Sequence, residues 1–405
     1  MAEKQKKLML LGGLRYLLPV IDAAHRHGIH VITVDYLPDN IAHKYSDEYH
    51  NVSIIDKEAV LALAQELQID GIMSFAVDPG VVSAAYVAEK MGLPFQCSYE
   101  AACILQNKSR FRKFLADNGF NVPNARGYNE GDDALKDIDY FNWPVIVKPV
   151  DSAGSKGVTR VDDPADLPAA ISHALSCSPS KHFIIEDFLE KEGCSSDTDS
   201  FSVDGDLVFC TFNSQYFDED AENEYTPAAY SWPSSMPQEV QDELRSELQR
   251  LLTLLNMKTG LYNIETRLCT NGKAYIMEVS PRAGGNRLAE MLKYVTGEDI
   301  IERATLAAIG EDFQPVGNGA DLSRQHIVEI ILHANQSGHF ERLDIGPELK
   351  SLVIEEDLWI RPGDMVETFT GANMAIGTLP LKATSLEDVA LILNQVKEHV
   401  KVIVS

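Results

Sequence analysis

Lys148-Pro149 closes an apolar run and is followed at once by Asp151-Ser-Ala-Gly-Ser-Lys-Gly157. Small residues let backbone N–H groups approach phosphate oxygens, and a lysine adds a compact positive charge suited to them. The P-loop pattern is absent, because no Gly-Lys-Ser/Thr opens a helix here. Taken alone, Ser152, Gly154, Ser155 and Gly157 describe either a phosphate cradle or a hairpin loop. Far downstream stand Asn263-Ile-Glu265 and Met277-Glu278-Val-Ser-Pro-Arg282. Asn271-Gly272 between them is a hairpin signal, and Glu265 lies six residues before Asn271 as Glu278 lies six after Gly272. The two carboxylates therefore fall opposite one another on adjacent strands. Like charges so placed are destabilising unless a cation offsets them. Mg²⁺ does this commonly, combining one or two carboxylates with substrate phosphates. Arg282 follows where the strand opens into Gly284-Gly285, beside the carboxylates and suited to charge on a phosphoryl group or a carboxylate.

The elements that carry these residues read as strands and helices in alternation. Lys7–Leu11, Ile29–Asp35 and Gly71–Phe75 predict strands; Leu17–His27, Glu58–Leu67 and Val81–Met91 predict helices. Such alternation implies a doubly wound parallel sheet. Leu11-Gly12-Gly13 with Asp35 lacks the full Gly-x-Gly-x-x-Gly pattern and reads as a structural turn, with NAD weakly supported. Ser109–Asn118 predicts a helix, Trp143–Lys148 a buried strand, and Ile184–Phe188 an apolar strand ending in Glu186-Asp187. Asp204-Gly205 marks a second hairpin, and Ser235-Met-Pro-Gln238 has the spacing of a capping box opening a helix. Glu219-Asp220 with Glu222 and Glu224 reads as a solvated charge run. Beyond residue 315, strands at Ile327–His333, Ser351–Glu355 and Met365–Phe369 are expected, punctuated by Gly371, Gly377 and Pro380. A capped helix at Ser385–Val400 and a last strand at Val402–Val404 follow.

The 405 residues suggest two to three domains at roughly 150 residues each. Hydrophobic content of 45% and charged content of 24% suit a soluble globular protein. A net charge of −26 argues against a nucleic-acid partner, since that needs a basic face. No apolar run approaches the ~18 residues of a membrane span, and the first residues lack a signal peptide's pattern. Six cysteines without a Cys-x-x-Cys pair read as reduced and mostly buried, so a cytoplasmic location is expected.

In their order, these motifs resemble the ATP-grasp superfamily of carboxylate–amine ligases over roughly residues 5–310. Asn107-Lys108-Ser-Arg-Phe-Arg-Lys-Phe-Leu, ahead of a Gly-Phe-x-Val-Pro turn, is similar to the helix carrying that family's first nucleotide-contacting lysine, here Lys108. The resemblance assigns Lys148 as the second lysine and residues 152–157 as the loop over the phosphates. It assigns Glu186 and Phe188 to the hinge that reads adenine, Glu265 and Glu278 to the metal, and Arg282 to the substrate or acyl-phosphate. Ser280 stands where the family usually has a third, asparagine ligand, and a hydroxyl reaches a metal more weakly. The family's ribose-binding acid has no clear match among Glu190, Glu192 and Asp197.

The resemblance implies an α/β and α+β multidomain fold. An N-terminal Rossmann-like unit (1–105) precedes a two-lobed ATP-grasp core (106–315), with a small lobe at about 141–190 and a large lobe at about 191–315. A small α+β cap (316–405) is similar to that of amino-acid ligases and carbamoyl-phosphate-synthase-like members. Implied cofactors are ATP and Mg²⁺, or Mn²⁺ in its place. Implied partners are a small carboxylate (an amino acid), an amine and, in a homodimer, a second copy of the chain. The alternatives are a bicarbonate- or purine-precursor-using member of the superfamily and a nucleotide-binding protein that is not a ligase.

Overall fold

The computed structural model describes residues 5–129, 134–152, 154, 156–223, 225–317 and 325–405. Strands β1 (Lys7–Leu11), β2 (His30–Val34), β3 (Glu48–His50) and β4 (Gly71–Ser74) form a parallel sheet in the order β3-β2-β1-β4. Helix α1 (Leu18–Arg26) connects β1 to β2, α2 (Lys57–Leu67) connects β3 to β4, and α3 (Asp78–Met91) follows β4. Alternate residues of β1 enter different cores. Leu8 and Leu10 pack with Leu17, Val20 and Ile21 near α1, whereas Met9 and Leu11 pack with Val60, Ala64, Ala84 and Val87 of α2 and α3. Both faces are covered, as an all-parallel sheet requires.

Two short helices lead out of this unit. Ser98 caps α4 (Tyr99–Leu105) by accepting from the Ala101 N–H, and Asn107 caps α5 (Lys108–Asp117) by accepting from the Arg110 N–H. These caps satisfy N–H groups that a helix start leaves open, and the second places Lys108 in the first turn of α5. A second sheet and its helix follow: β5 (Ala125–Asn129), β6 (Val145–Pro149), β7 (Thr159–Val161), α6 (Leu167–Cys177) and β8 (His182–Asp187). The sheet is antiparallel and runs β5-β8-β6-β7, so a strand from before residue 141 belongs to it.

Next come β9 (Ser196–Val203), β10 (Asp206–Cys210), β11 (Ser214–Phe217), β12 (Pro227–Trp232), α7 (Gln238–Leu254), β13 (Gly260–Leu268) and β14 (Ala274–Ser280). A further sheet runs β10-β9-β13-β14, and Leu244, Leu248, Leu251 and Leu252 of α7 are buried in the core beside it. The capping box expected at Ser235 does not form. Pro237 precedes α7 with no side-chain cap, and the Ser235 hydroxyl instead accepts from Ser214.

Helices α8 (Leu288–Thr296) and α9 (Ile300–Ala308) precede β15 (His326–Leu332), β16 (Gly338–Ile345), β17 (Asp357–Leu358), β18 (Met365–Val366), β19 (Gly377–Ala383), α10 (Leu386–His399) and β20 (Val400–Val404). One sheet runs β11-β12-β15-β19-β17 and another β18-β16-β20. The stretch expected to form a cap therefore shares a sheet with residues 214–232. Ser351–Glu355 is not a strand: it makes a single bridge, Val353 to Leu381. Pro380 lies inside β19, opposite Glu329. Ser385 caps α10 through Asp388 N–H, as its sequence implies.

All six cysteines are free; Cys97, Cys210 and Cys269 are buried and the other three half-buried. Among the described residues no helix is long and apolar enough to cross a membrane.

The N-terminal unit is clamped to the core by α9, which packs on α1 and β4. A Cβ on Gly71 would stand 2.2 Å from the Ala308 carbonyl oxygen, so a side chain there must push the helix away. Gly71→Ala is expected to destabilise the protein by about 1–3 kcal/mol, measured by urea denaturation; unchanged stability would contradict this close approach.

Candidate active site

The β13–β14 hairpin builds the site. Near its turn Leu268 pairs with Ala274, Arg267 with Tyr275 and Thr266 with Ile276; the register then shifts, and Glu265 pairs with Glu278. A β-bulge inserts one residue into one strand and re-aims the side chains beyond it, and here it brings the two glutamates opposite each other. On its other edge β13 pairs with β9, where Glu265 faces Asp197 and Asn263 faces Asp199. Three carboxylates, Asp197, Glu265 and Glu278, thus cross three strands in one row. All three line a cleft of about 860 Å³.

Cations come from other elements. Lys108 Nζ lies 3.4 Å from Glu278 Oε2 and donates to the Ser152 carbonyl at 3.1 Å, linking α5, the loop and β14. Arg267 Nη2 stands 3.6 Å from Glu265 Oε1. Deeper in, Glu186 sits between two cations: Lys148 Nζ at 2.7 Å and Arg112 Nε at 2.8 Å, the latter a close ion pair rather than an aligned hydrogen bond. Arg112 also donates to the Met277 carbonyl at 2.8 Å, next to the shifted register of the hairpin.

Glu186 is only 3% exposed. Burial would raise its pKa, but Arg112 and Lys148 outweigh that and hold it down at about 2. Burial lowers the Lys148 pKa, with Arg112 and Lys108 adding to the shift against the pull of Glu186. The carboxylate of Glu186 is therefore a holder of Lys148 and Arg112 rather than an exposed strand end. Its main chain pairs with both β5 and β6.

Arg282 is held by a residue from the N-terminal unit. Its Nε and Nη2 donate to Asp78 at 2.7 and 2.8 Å, and Nη1 donates to the Ala283 carbonyl at 2.7 Å. Three of the five guanidinium N–H donors are thus engaged, which leaves two. Burial would raise the Asp78 pKa; Arg282, with help from Lys108 and Ser280, keeps it below the usual carboxylate range. Ser280 is fully buried and absent from the cleft wall; its hydroxyl accepts from Gln106 at 2.6 Å and donates to Asp78 at 3.2 Å. Ser280, expected as a metal ligand, is thus not brought to the cleft wall: its hydroxyl braces the Asp78–Arg282 pair.

Asp197 and Asp199 form the acidic wall beyond Glu265. Burial, reinforced by Glu265, pushes Asp197 up to about 6. Burial pushes Asp199 up to about 7 despite the bond it accepts from the Gly284 N–H. Asn263 donates to both, at 2.8 and 3.2 Å, and the Tyr230 hydroxyl donates to Asp197 at 3.1 Å.

The structure brings Lys108, Lys148, Ser152, Gly154, Glu186, Phe188, Glu265, Glu278 and Arg282 into the wall of one cleft. Ser155 lies outside the described residues. Gly157 is buried and not in that wall; with φ at +75° and Cys177 Cβ 2.7 Å from where its own Cβ would be, it shapes the loop's return. Phe188 sits beneath the Arg160 guanidinium at 4.4 Å and, with Ile146, Leu189 and Met277, lines an apolar end of the cleft. Asp78, Arg112 and Tyr230 were not singled out by their sequence, and Asn263 stood out only as the start of the motif that holds Glu265. Asp78 opens α3 before a proline, which reads only as a helix start.

Among the described residues no three His, Cys, Asp or Glu side chains are arranged to hold a metal by themselves. Glu265 and Glu278 nonetheless fit Mg²⁺. They oppose each other, face the cleft, and their nearest cations stand at 3.4 and 3.6 Å, beyond normal bonding distance. Phosphate oxygens would complete the shell.

A family model described as an ATP-grasp domain matches residues 141–290. The carbamoyl phosphate synthase large chain of Ralstonia nicotianae is 24% identical over 388 residues, covering 86% of this chain and 33% of that one. A formate-dependent phosphoribosylglycinamide formyltransferase of Synechococcus sp. (strain WH7803) is 28% identical over 293 residues, covering 71% of this chain and 72% of that one. The chain thus spans about a third of the length of the former relative. The solved structure of an L-amino acid ligase from Bacillus licheniformis has the same fold, with a TM-score of 0.80 at 20% identity and 100% of both chains covered. The ATP-grasp match thus rests on the middle of the chain, residues 141–290.

The buried Glu186 makes a pH-dependent contribution to stability. Its folded-state pKa of about 2 lies below the unfolded value of about 4.3, so roughly 3 kcal/mol is present above pH ~4.3 and lost as pH falls through ~2. Removing the carboxylate also leaves two cations uncompensated. Glu186→Gln is expected to be about 3 kcal/mol less stable than wild type at pH 7, by denaturant titration, with the gap narrowing at pH 3. An equal gap at both pH values would contradict the assignment.

Proposed function

We propose that the protein is an ATP-dependent carboxylate–amine ligase. In this reading a small carboxylate attacks the γ-phosphorus of ATP, forming an acyl-phosphate and ADP. An amine then attacks the acyl carbon: the C–N bond forms, the C–O bond to phosphate breaks, and an amine proton leaves with inorganic phosphate. The observation that carries the reading is the opposed pair Glu265–Glu278 facing a cleft that also holds Lys108 and Lys148.

Mg²⁺ held by Glu265 and Glu278 would neutralise charge on the β- and γ-phosphates. Lys148, fixed by Glu186, and Lys108, fixed by the Ser152 carbonyl, would face the phosphates as preorganised charges. The ring of Phe188 and the chain just beyond β8 would border adenine at the apolar end. Arg282, braced by Asp78, would present its remaining N–H donors to the carboxylate or acyl-phosphate. The loop from Ser152 to Gly157 would exclude water that otherwise hydrolyses the intermediate. Catalysis then consists of positioning and charge neutralisation, without a protein nucleophile.

The N-terminal side of the cleft is lined by Leu14, Tyr16, Ala76 and Asp78, with no basic side chain among them. This favours a small acid such as an amino acid over a phosphorylated purine precursor. A cytoplasmic homodimer remains part of the proposal.

A phosphate-release screen over paired amino acids and small acids tests the reading, with ATP and Mg²⁺ present throughout. At least one pair is expected to stimulate release, and Glu278→Gln is expected to lower that rate by about a hundredfold or more. No stimulation by any pair, or wild-type turnover in the variant, would overturn it.

A further inference from the structure

The cations of the cleft are unevenly matched to its acids. Arg282 is engaged by Asp78, Lys108 faces Glu278, and Arg267 faces Glu265. Among the described residues no lysine, arginine or histidine forms an ion pair with Asp197 or Asp199. Asp199 is completely buried, and its Oδ2 has no hydrogen-bond partner. Asn286, 6% exposed, belongs to the same end of the cleft, and its Oδ1 has none either. Its Nδ2 donates to the Tyr230 hydroxyl at 3.4 Å, and that hydroxyl donates to Asp197. Buried acceptors without donors cost folding free energy, and a buried carboxylate without a cation costs more. Such a wall is built to receive positive charge and N–H donors.

We infer that this wall is the subsite for the amine substrate, whose ammonium nitrogen donates to Asp197 and to Asn286 Oδ1. The inference rests on the ligase reading above and adds where the second substrate binds and which charge it carries. Asp197 directly opposes Glu265, so an amine bound there stands about one strand spacing, ~4.8 Å, from the carboxylate pair facing the phosphates. The ligand class is a primary amine that arrives protonated, as the α-amino group of an amino acid does, and that gives up one proton to solvent before its nitrogen attacks. A second divalent cation fits the wall less well. The Asp197 oxygens already accept from Asn263 and Tyr230, whereas Mg²⁺ demands a near-octahedral shell of open oxygens.

The experiment compares two nucleophiles with the acid found by phosphate release: the amino acid found as amine, cationic near pH 7, and hydroxylamine, uncharged there and read as the hydroxamate. Asp197→Asn preserves shape and removes charge; its melting temperature reports whether it folds. The KM for the amino acid is expected to rise about tenfold or more relative to that for hydroxylamine, the scale of one lost charge-assisted bond. Asn286→Asp, which adds charge at the same wall, is expected to shift the ratio the opposite way. A parallel loss with both nucleophiles, or a loss of Mg²⁺ dependence in Asp197→Asn, would overturn the subsite and place Asp197 in the phosphate machinery. If wild type forms hydroxamate from no acid, the ligase reading itself fails and the subsite with it.

Discussion

The structure depends on keeping carboxylates together that would otherwise repel. Asp197, Glu265 and Glu278 cross three adjacent strands in one row. Directly opposed like charges destabilise a sheet by a few tenths to about 1 kcal/mol per pair. The sheet tolerates this because the row faces a wide cleft and because cations reach it from other elements. Lys108 comes from a capped helix start, Arg267 from the same strand as Glu265, and Arg282 from the turn after β14. None of these cations closes tightly on the glutamate pair. The pair keeps open lone pairs, which a metal–nucleotide ligand can use.

A second constraint joins two sheets. Arg112 on α5, Lys148 on β6 and Glu186 on β8 form one buried cluster, and Arg112 extends it to the Met277 carbonyl on β14. A buried ion pair is weak evidence for stability in itself, because desolvation opposes the attraction. Its value here is positional: the same carboxylate fixes a lysine aimed at the cleft and an arginine that reaches the β13–β14 hairpin. Asp78 performs the matching task from the N-terminal unit, so Arg282 is oriented by a residue 204 positions away. The cleft is therefore assembled from all three parts of the chain.

Local pattern revealed most of the elements and the main residues of the cleft. Strand–helix alternation predicted the parallel sheet, and Ser385 predicted the cap of the C-terminal helix. The opposition of Glu265 and Glu278 was legible by counting from Asn271-Gly272, though the physical route differs. The ladder near the turn pairs Leu268 with Ala274, and a register shift beyond Thr266 restores the count. What was hidden depends on contacts distant in sequence. Asp78 lay unremarked ahead of the helix expected at Val81–Met91, and Glu186 looked like a strand end, because burial and partner identity leave no local periodicity. Ser280 was read by its place after Glu278, but Gln106 and Asp78 already engage its hydroxyl. The sheet joining residues 214–232 to the last third of the chain was missed because β11 and β12 are short and flank a charge run.

The central claim is that the opposed glutamates hold a metal only together with nucleotide phosphates. Calorimetric titration of a non-hydrolysable ATP analogue, with Mg²⁺ and with EDTA, tests it in wild type and in the Glu265→Gln/Glu278→Gln double variant. The account predicts Mg²⁺-strengthened binding in wild type, and in the double variant only the weaker, metal-independent binding that Lys108 and Lys148 support. Equal strengthening by Mg²⁺ in both proteins would contradict it.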